Sequence, residues 1–312
     1  MPNDRNQSKY LTPTSRLLNV GCGRRYDRRW VNLDLSSRDA SVVQYDINKG
    51  IPFADGSFDA VYHSHVLEHL KPDQGERLLQ ECFRVLAPGG VLRIVVPDLE
   101  TIARLYLQKH EQAWSGDEDA AVDYNWMKME LLDQLVRDQS GGRMGPYMAS
   151  SAIENSDFVR QRVGDEFSVC RATTKIEMVR KPSLMLRFRT VTRAFRERWA
   201  RRCVRWLLGR KKAAALREGL FRGQGEIHRW MYDRYSLRQL CSQFGFEDFK
   251  VCTAFQSSIE DYVQYQLDAD QEAIRKPDSL FIECVKPVSV VIHKTAPQSK
   301  PADKEVVSAK VA

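Results

Sequence analysis

Short apolar runs, broken at intervals by glycine, proline and acids, dominate the first hundred residues. Leu17, Leu18 and Val20 form the first, which stops at Gly21-Cys22-Gly23 as a buried parallel strand does when it ends in a turn of bare backbone. Residues 31–35 and 42–47 predict a second and a third strand, 58–62 a fourth after the Asp55-Gly56 turn, and 91–96 a fifth. Residues 73–86 carry Leu78, Leu79, Cys82, Phe83 and Leu86 at helical spacing, an amphipathic helix stopped by Pro88-Gly89-Gly90. Late in the chain, Ser236 caps a helix that ends at Gly245, and residues 249–255 and 279–285 read as two last strands.

In an open α/β sheet, ligands sit outside the carboxyl ends of the strands. Asp34 lies near the end of the second strand, beside the glycine turn of the first, placed to accept hydrogen bonds from a ribose. The pattern therefore points to a nucleoside-containing cofactor, although a Gly-x-Gly turn by itself is as common in connections that bind nothing. The third glycine of a dinucleotide fingerprint is missing after Gly23-Arg24-Arg25, which counts against a nicotinamide-dependent oxidoreductase. Only residues 24–30 separate the turn from the second strand, too few for a crossover helix.

The strings GIPFADGSFDAVYHSHVLEHL and RVLAPGGVLRIVVPDLE, following LLNVGCG, resemble class I S-adenosylmethionine-dependent methyltransferases, in particular the type 11-like subgroup with an LPF…FD…LEH…PGG core. The match covers about residues 16–100 and returns in the C-terminal strands. The resemblance implies a Rossmann-like seven-stranded sheet of order 3-2-1-4-5-7-6, with a large helical insertion between strands 5 and 6. It implies S-adenosylmethionine held by Gly21 and Gly23 at its methionine end, Asp34 at the ribose hydroxyls, and Asp46 with Ile47 at the adenine. Cys22, Leu35, Ser64 and His65 complete that candidate set. Asn19 stands where the family often has an acid, and Arg25 where it often has glycine.

Methyl transfer is an in-line displacement, so the protein mainly holds donor and acceptor close and dry, with a base if the acceptor is a hydroxyl. His65 is the first candidate base and His228, on a segment expected over the active-site mouth, is the reserve. The histidines of HSHVLEHL equally suit plain hydrogen bonding at a strand-to-helix turn. Asp98 reads as a second base or orienting acid, or as the N-cap of a helix over 99–107. His65, Glu68 and His69 fall at i, i+3 and i+4, a spacing that suits a metal on a helix face. Leu-Glu-His-Leu is widespread in the family without one, and further ligands are not placed by the sequence, so no metal is assigned.

From 101 to 225 the chain leaves the minimal pattern. A helix over 125–136 is expected to bury Trp126, Met129, Leu132, Leu135 and Val136, and Arg137 and Arg143 flank a glycine-rich loop suited to an acceptor's phosphate or carboxylate, or to a solvated lid. This insertion, HRWMYDRYSLRQL and RKPDSLFIECVKP are similar to bacterial methyltransferases of polysaccharide assembly, which implies a sugar hydroxyl on a glycan or lipid-linked precursor as acceptor. Small-molecule, lipid and RNA acceptors stay open, as does a non-catalytic scaffold that keeps the cofactor fold.

Charge changes the picture most in residues 171–222, where seventeen Lys and Arg face three Glu; the other 260 residues carry 31 basic and 38 acidic side chains, so the whole net charge of +7 originates here. Leu184, Phe188, Val191, Phe195, Trp199, Cys203 and Trp206 recur every three or four residues among arginines. Such a stripe over 184–208 suits the headgroup layer of an anionic membrane, or packing on the protein's own core; the aligned aromatics and the lack of an RNA-binding motif make nucleic acid the weakest partner.

Seven cysteines without a Cys-x-x-Cys pair indicate neither a disulfide framework nor a zinc ribbon. No leader or membrane span is visible, so a cytoplasmic location, peripheral on the inner face of the plasma membrane, is expected. The expected organisation is an N-terminal extension (1–15), a methyltransferase domain (16–100 and 226–287), a basic helical insertion (101–225) and a disordered tail (288–312).

Overall fold

The computed structural model describes residues 11, 15–179, 184–270 and 273–288. The expected N-terminal extension and tail fall almost wholly outside the described residues.

Seven strands form one sheet: β1 (Leu17–Val20), β2 (Val31–Asp34), β3 (Val42–Gln44), β4 (Phe58–Ser64), β5 (Leu86–Pro97), β6 (Glu247–Cys252) and β7 (Ser279–Val285). Their order is 3-2-1-4-5-7-6, as expected, with β7 antiparallel between β5 and β6. On one face, Leu18, Val20, Leu33, Val61 and Ile94 meet α1 (Pro72–Val85); on the other, Trp30, Tyr62, Val95 and Phe281 form a second core. Each such large apolar side chain contributes roughly 1.5–3 kcal/mol on burial.

Some boundaries differ from the pattern. β5 starts at Leu86, because the Pro88-Gly89-Gly90 stretch is taken up as an irregularity in the pairing between Phe58–Leu86 and Ala60–Val91 and does not form a separate turn. β3 is shorter than expected, and Ile47 lies in a 3₁₀ turn, Ile47–Lys49, capped by Asp46.

The insertion between β5 and β6 is helical, as expected: α2 (Leu99–Trp114), α3 (Glu118–Val136), α4 (Met144–Ala149), α5 (Ser156–Val163), α6 (Asp165–Val179) and α7 (Leu184–Arg222), followed by α8 (Arg234–Gln243). Trp126, Met127, Met144, Met148, Val159 and Phe167 give it a core of its own. α3 begins at Glu118, where Asp117 accepts the N–H of Ala120, and of the predicted face Trp126 is buried while Leu132 and Val136 are exposed; Glu130 and Asp133 are buried instead. Both acids are paired inside, Glu130 with Arg162 at 2.6 Å and with the Trp126 indole at 2.8 Å, and Asp133 with Arg137 at 2.8 Å. Arg137, which also meets Glu226 at 3.3 Å, is thereby committed to holding the insertion together.

α7 is broken at Gly209, whose φ of 74° only glycine adopts readily. Trp199 and Trp206 are 64% and 84% exposed, so neither packs on the protein's own core. The side chains of Leu184, Phe188, Val191 and Phe195 lie outside the described residues. Among the described residues, no helix is long and apolar enough to cross a membrane.

Candidate active site

A cavity of about 330 Å³ opens at the carboxyl ends of β1 and β4, walled by Gly21, Cys22, Gly23, Ser64 and His65; along one side Arg24, Arg25, Arg275 and Lys276 stand with Asp165, which pairs with Arg25 at 2.8 Å and Arg275 at 3.0 Å. Its volume falls in the range of small-molecule sites. Gly21 has φ 68°, and a Cβ there would stand 2.4 Å from Cγ2 of Val66. At Gly23 a Cβ would meet nothing within 4 Å, so this backbone is left bare toward open space. The N–H of Gly23 donates to Oδ2 of Asp34 at 2.8 Å and that of Ser36 to Oδ1 at 3.0 Å, which fixes the carboxylate while leaving lone pairs for hydroxyls.

The other predicted cofactor residues are spread more widely. Asp34, Leu35, Asp46 and Ile47 are not among the cavity walls; Leu35 is exposed, and Asp46 spends Oδ1 on Asn48. Cys22 is buried, and that burial, helped by the Asp34 charge, pushes its thiol up to about 12, so it is no nucleophile.

His65 follows β4 with a left-handed φ of 53°, so His65, Glu68 and His69 do not share a helix face; the chain instead makes a 3₁₀ turn, Leu67–His69. Nε2 of His65 is 2.9 Å from Oγ of Ser279, and Nδ1 lies 3.0 Å from Oε1 of Glu68. Burial lowers the His65 value, with Lys276 acting the same way, so the ring is neutral at pH 7. Asp98 caps α2, accepting from the N–H of Glu100 at 3.1 Å and from the Thr101 hydroxyl. His228 does not reach the cavity; it is buried at 4% exposure, edge-on to His69, and burial takes it down to about 3. Glu68 has no exposed surface. Burial alone would raise its carboxyl, and the His65 imidazole 3.0 Å from Oε1 pulls it down.

Sequence reasoning missed the buried charge cluster behind the cavity, which Asp268 and Tyr62 join to its wall. Arg93, fully buried in β5, pairs with Asp268 and Glu283 at 2.8 Å each, and Asp268 also accepts the hydroxyls of Tyr62 and Tyr262 at 2.7 Å. Burial works against the Arg93 charge, but Tyr262, Asp268 and Glu283 outweigh it and raise its value. An arginine inside the apolar run VLRIVV was the available signal.

Residues 18–94 match the family model described as a methyltransferase domain. The chain is similar to a probable S-adenosylmethionine-dependent methyltransferase of Mycolicibacterium smegmatis, 35% identical over 104 residues that cover 28% of this chain and 40% of that protein. It is also similar to the probable tRNA methyltransferase 9B of Bos taurus, 37% identical over 93 residues, 30% of this chain and 20% of that one. The chain thus spans less than half the length of these curated relatives. A solved S-adenosylmethionine-dependent methyltransferase from Archaeoglobus fulgidus covers 89% of this chain and 88% of its own at 12% identity, with a TM-score of 0.34, too low to carry any argument.

The sheet order is that of the Rossmann-like methyltransferase fold, and the matched segment, residues 18–94, is a methyltransferase domain, the kind whose cofactor is S-adenosylmethionine. The bare Gly21–Gly23 backbone at the cavity and the fixed Asp34 carboxylate fit that group.

Proposed function

We propose that this protein is a methyltransferase acting on a hydroxyl group, with a sugar of a glycan or lipid-linked polysaccharide precursor as acceptor. The observation that carries it is His65: a neutral imidazole on the cavity wall, next to the glycine turn that would hold the methionine end of the cofactor. Bound S-adenosylmethionine supplies a methyl group on a sulfonium that leaves as a thioether. Gly21, Cys22 and Gly23 cradle its methionine end, and Asp34 accepts from the ribose hydroxyls. His65 exchanges the Ser279 hydroxyl for the acceptor hydroxyl at Nε2 and takes the proton as the new C–O bond forms. Arg24, at the cavity mouth, can meet an acceptor's phosphate or carboxylate, which a lipid-linked sugar provides.

The same reading places the enzyme at an anionic membrane. Exposed Trp199, Trp206 and Leu207 stand among Arg202, Arg205, Arg210 and Lys211 on α7, the pairing of apolar and cationic groups that suits a headgroup layer.

Two measurements test the proposal. Calorimetry should detect S-adenosylmethionine and its demethylated product binding to the purified chain, and methyl-labelled cofactor should pass label to a bacterial glycan or lipid-linked sugar extract. Cofactor binding with no transfer to any extract would leave a scaffold; label in small molecules or RNA alone would remove the sugar reading.

A further inference from the structure

Behind His65, away from the cavity, the 3₁₀ turn Leu67–His69 meets the segment 227–230 that returns from the insertion. The N–H groups of Arg229 and Trp230 donate to the Glu68 carbonyl at 2.6 and 3.2 Å. The Glu68 side chain is wholly buried, and its one near partner is His65, whose Nδ1 stands 3.0 Å from Oε1 at a poor angle, so that neither oxygen has a well-formed hydrogen bond. A buried carboxylate so thinly satisfied is disfavoured unless a cation meets it. Two further imidazoles stand beside it. His69 has Nδ1 3.1 Å from the Ile227 carbonyl, a contact only the Nδ1–H tautomer satisfies, so its lone pair is on Nε2, 4.0 Å from Oε1 of Glu68. His228 packs edge-on against His69 with ring centroids 4.9 Å apart.

We propose that Glu68, His69 and His228 form a binding site for a divalent transition-metal cation of the Zn²⁺ type, clasped between the turn after β4 and the segment returning from the insertion. One donor atom from each residue already lies within 4.8 Å of the others. Bonds of about 2.0–2.2 Å in a tetrahedral site put donors roughly 3.4 Å apart, so small side-chain rotations close the set. Two imidazoles and one carboxylate with a position left for water are a donor set that suits zinc and its first-row neighbours better than magnesium or calcium. The His69–Ile227 contact is the outer hydrogen bond that orients a ligating ring. The His69 side chain keeps 25% of its surface exposed, which gives the ion a way in. The cation neutralises the buried carboxylate and fastens the insertion's end to the core. His65, included by its spacing in the sequence, takes no part, and His228, 159 residues beyond His69, supplies the ligand the local motif lacked.

The test uses the full chain, stripped with chelator and titrated with Zn²⁺ against a chromophoric competitor in the absence of S-adenosylmethionine, so that its outcome is separate from that of methyl transfer. One equivalent of Zn²⁺ should bind and raise the thermal midpoint, with the rise growing as the logarithm of its concentration once above Kd. Co²⁺ in its place should give the intense visible bands of four- or five-coordination. Glu68→Gln and His228→Gln should each weaken Zn²⁺ at least tenfold; circular dichroism of the metal-free variants checks folding, and if either fails to fold, His69→Gln, at the partly exposed ring, reads the same loss. No tight equivalent, or an affinity that these substitutions leave unchanged, overturns the site. So does a Co²⁺ spectrum that stays that of the aquo ion.

Discussion

The backbone N–H of Gly23 donates to Oδ2 of Asp34 at 2.8 Å, which ties the turn ending β1 to the acid ending β2. One carboxylate thereby shapes the cradle and offers acceptors to a ribose. Asp34→Ala should weaken S-adenosylmethionine by about 1–2 kcal/mol, roughly five- to thirtyfold in Kd. Titration calorimetry reads it, and an unaltered Kd would move the ribose site elsewhere.

His65→Gln should lower kcat by roughly 10²–10⁴ while leaving cofactor affinity within about twofold, the loss expected when a general base is removed. Ser279→Ala, which frees Nε2, should change kcat far less. Equal losses in the two variants would make the Ser279 hydroxyl, and not the imidazole, the group that matters.

Gly21→Ala places a methyl 2.4 Å from Cγ2 of Val66 on a backbone with φ 68°. The expected cost is about 1–3 kcal/mol of stability, with weakened cofactor binding. Val66→Ala in the same chain should restore the part due to the clash and not the part due to backbone strain; denaturant midpoints of the four proteins in the cycle separate the two.

Asp278 is buried with Oδ1 unpartnered, and burial, with Glu130 and Glu166 nearby, raises its carboxyl to about 7 against the pull of Lys276 and Arg162. The folded state therefore prefers the protonated form. As pH rises from the unfolded value of 3.8 through about 7, ionisation costs stability, and the penalty is constant above that. Asp278→Asn should match wild type near pH 4 and exceed it at pH 8, by an amount on the order of 1–3 kcal/mol. Urea denaturation at both pH values decides it; equal slopes against pH would show that Asp278 titrates normally.

Anionic vesicles should pellet the protein at low salt, less at high salt, and neutral vesicles should not, because each Lys or Arg near an anionic surface adds about 1 kcal/mol. Trp199→Glu with Trp206→Glu should abolish pelleting without unfolding, since both rings are exposed. Unfolding of that variant would mean that the tryptophans serve the protein's own core.

The sheet was readable because its signals are local. A glycine turn after Val20, an acid at Asp34 and alternating runs each need only a few residues, and such signals placed all seven strands, with errors of a few residues at their ends. Where the sequence misled, the deciding partner was remote. Glu130 looks like the wet side of α3, but Arg162, 32 residues on, pairs it inside. Arg93 finds Asp268 and Glu283 some 175 and 190 residues later. Periodicity sees neither contact. His65, at a left-handed residue and followed by a 3₁₀ turn, breaks the helical spacing on which its grouping with Glu68 and His69 depended.

β7 pairs along nearly the whole of β5, from Val91–Val285 to Pro97–Ser279, yet the two are separated by the entire insertion. At ribosomal rates of about 5–20 residues per second, the edge of β5 waits roughly ten to forty seconds for its neighbour to be made. During that interval a run of Ile94, Val95 and Val96, wholly buried in the finished sheet, presents open N–H and C=O groups to any passing strand. A chain that makes β7 slowly should therefore show itself as aggregation of newly made chains rather than as loss of stability in the finished fold.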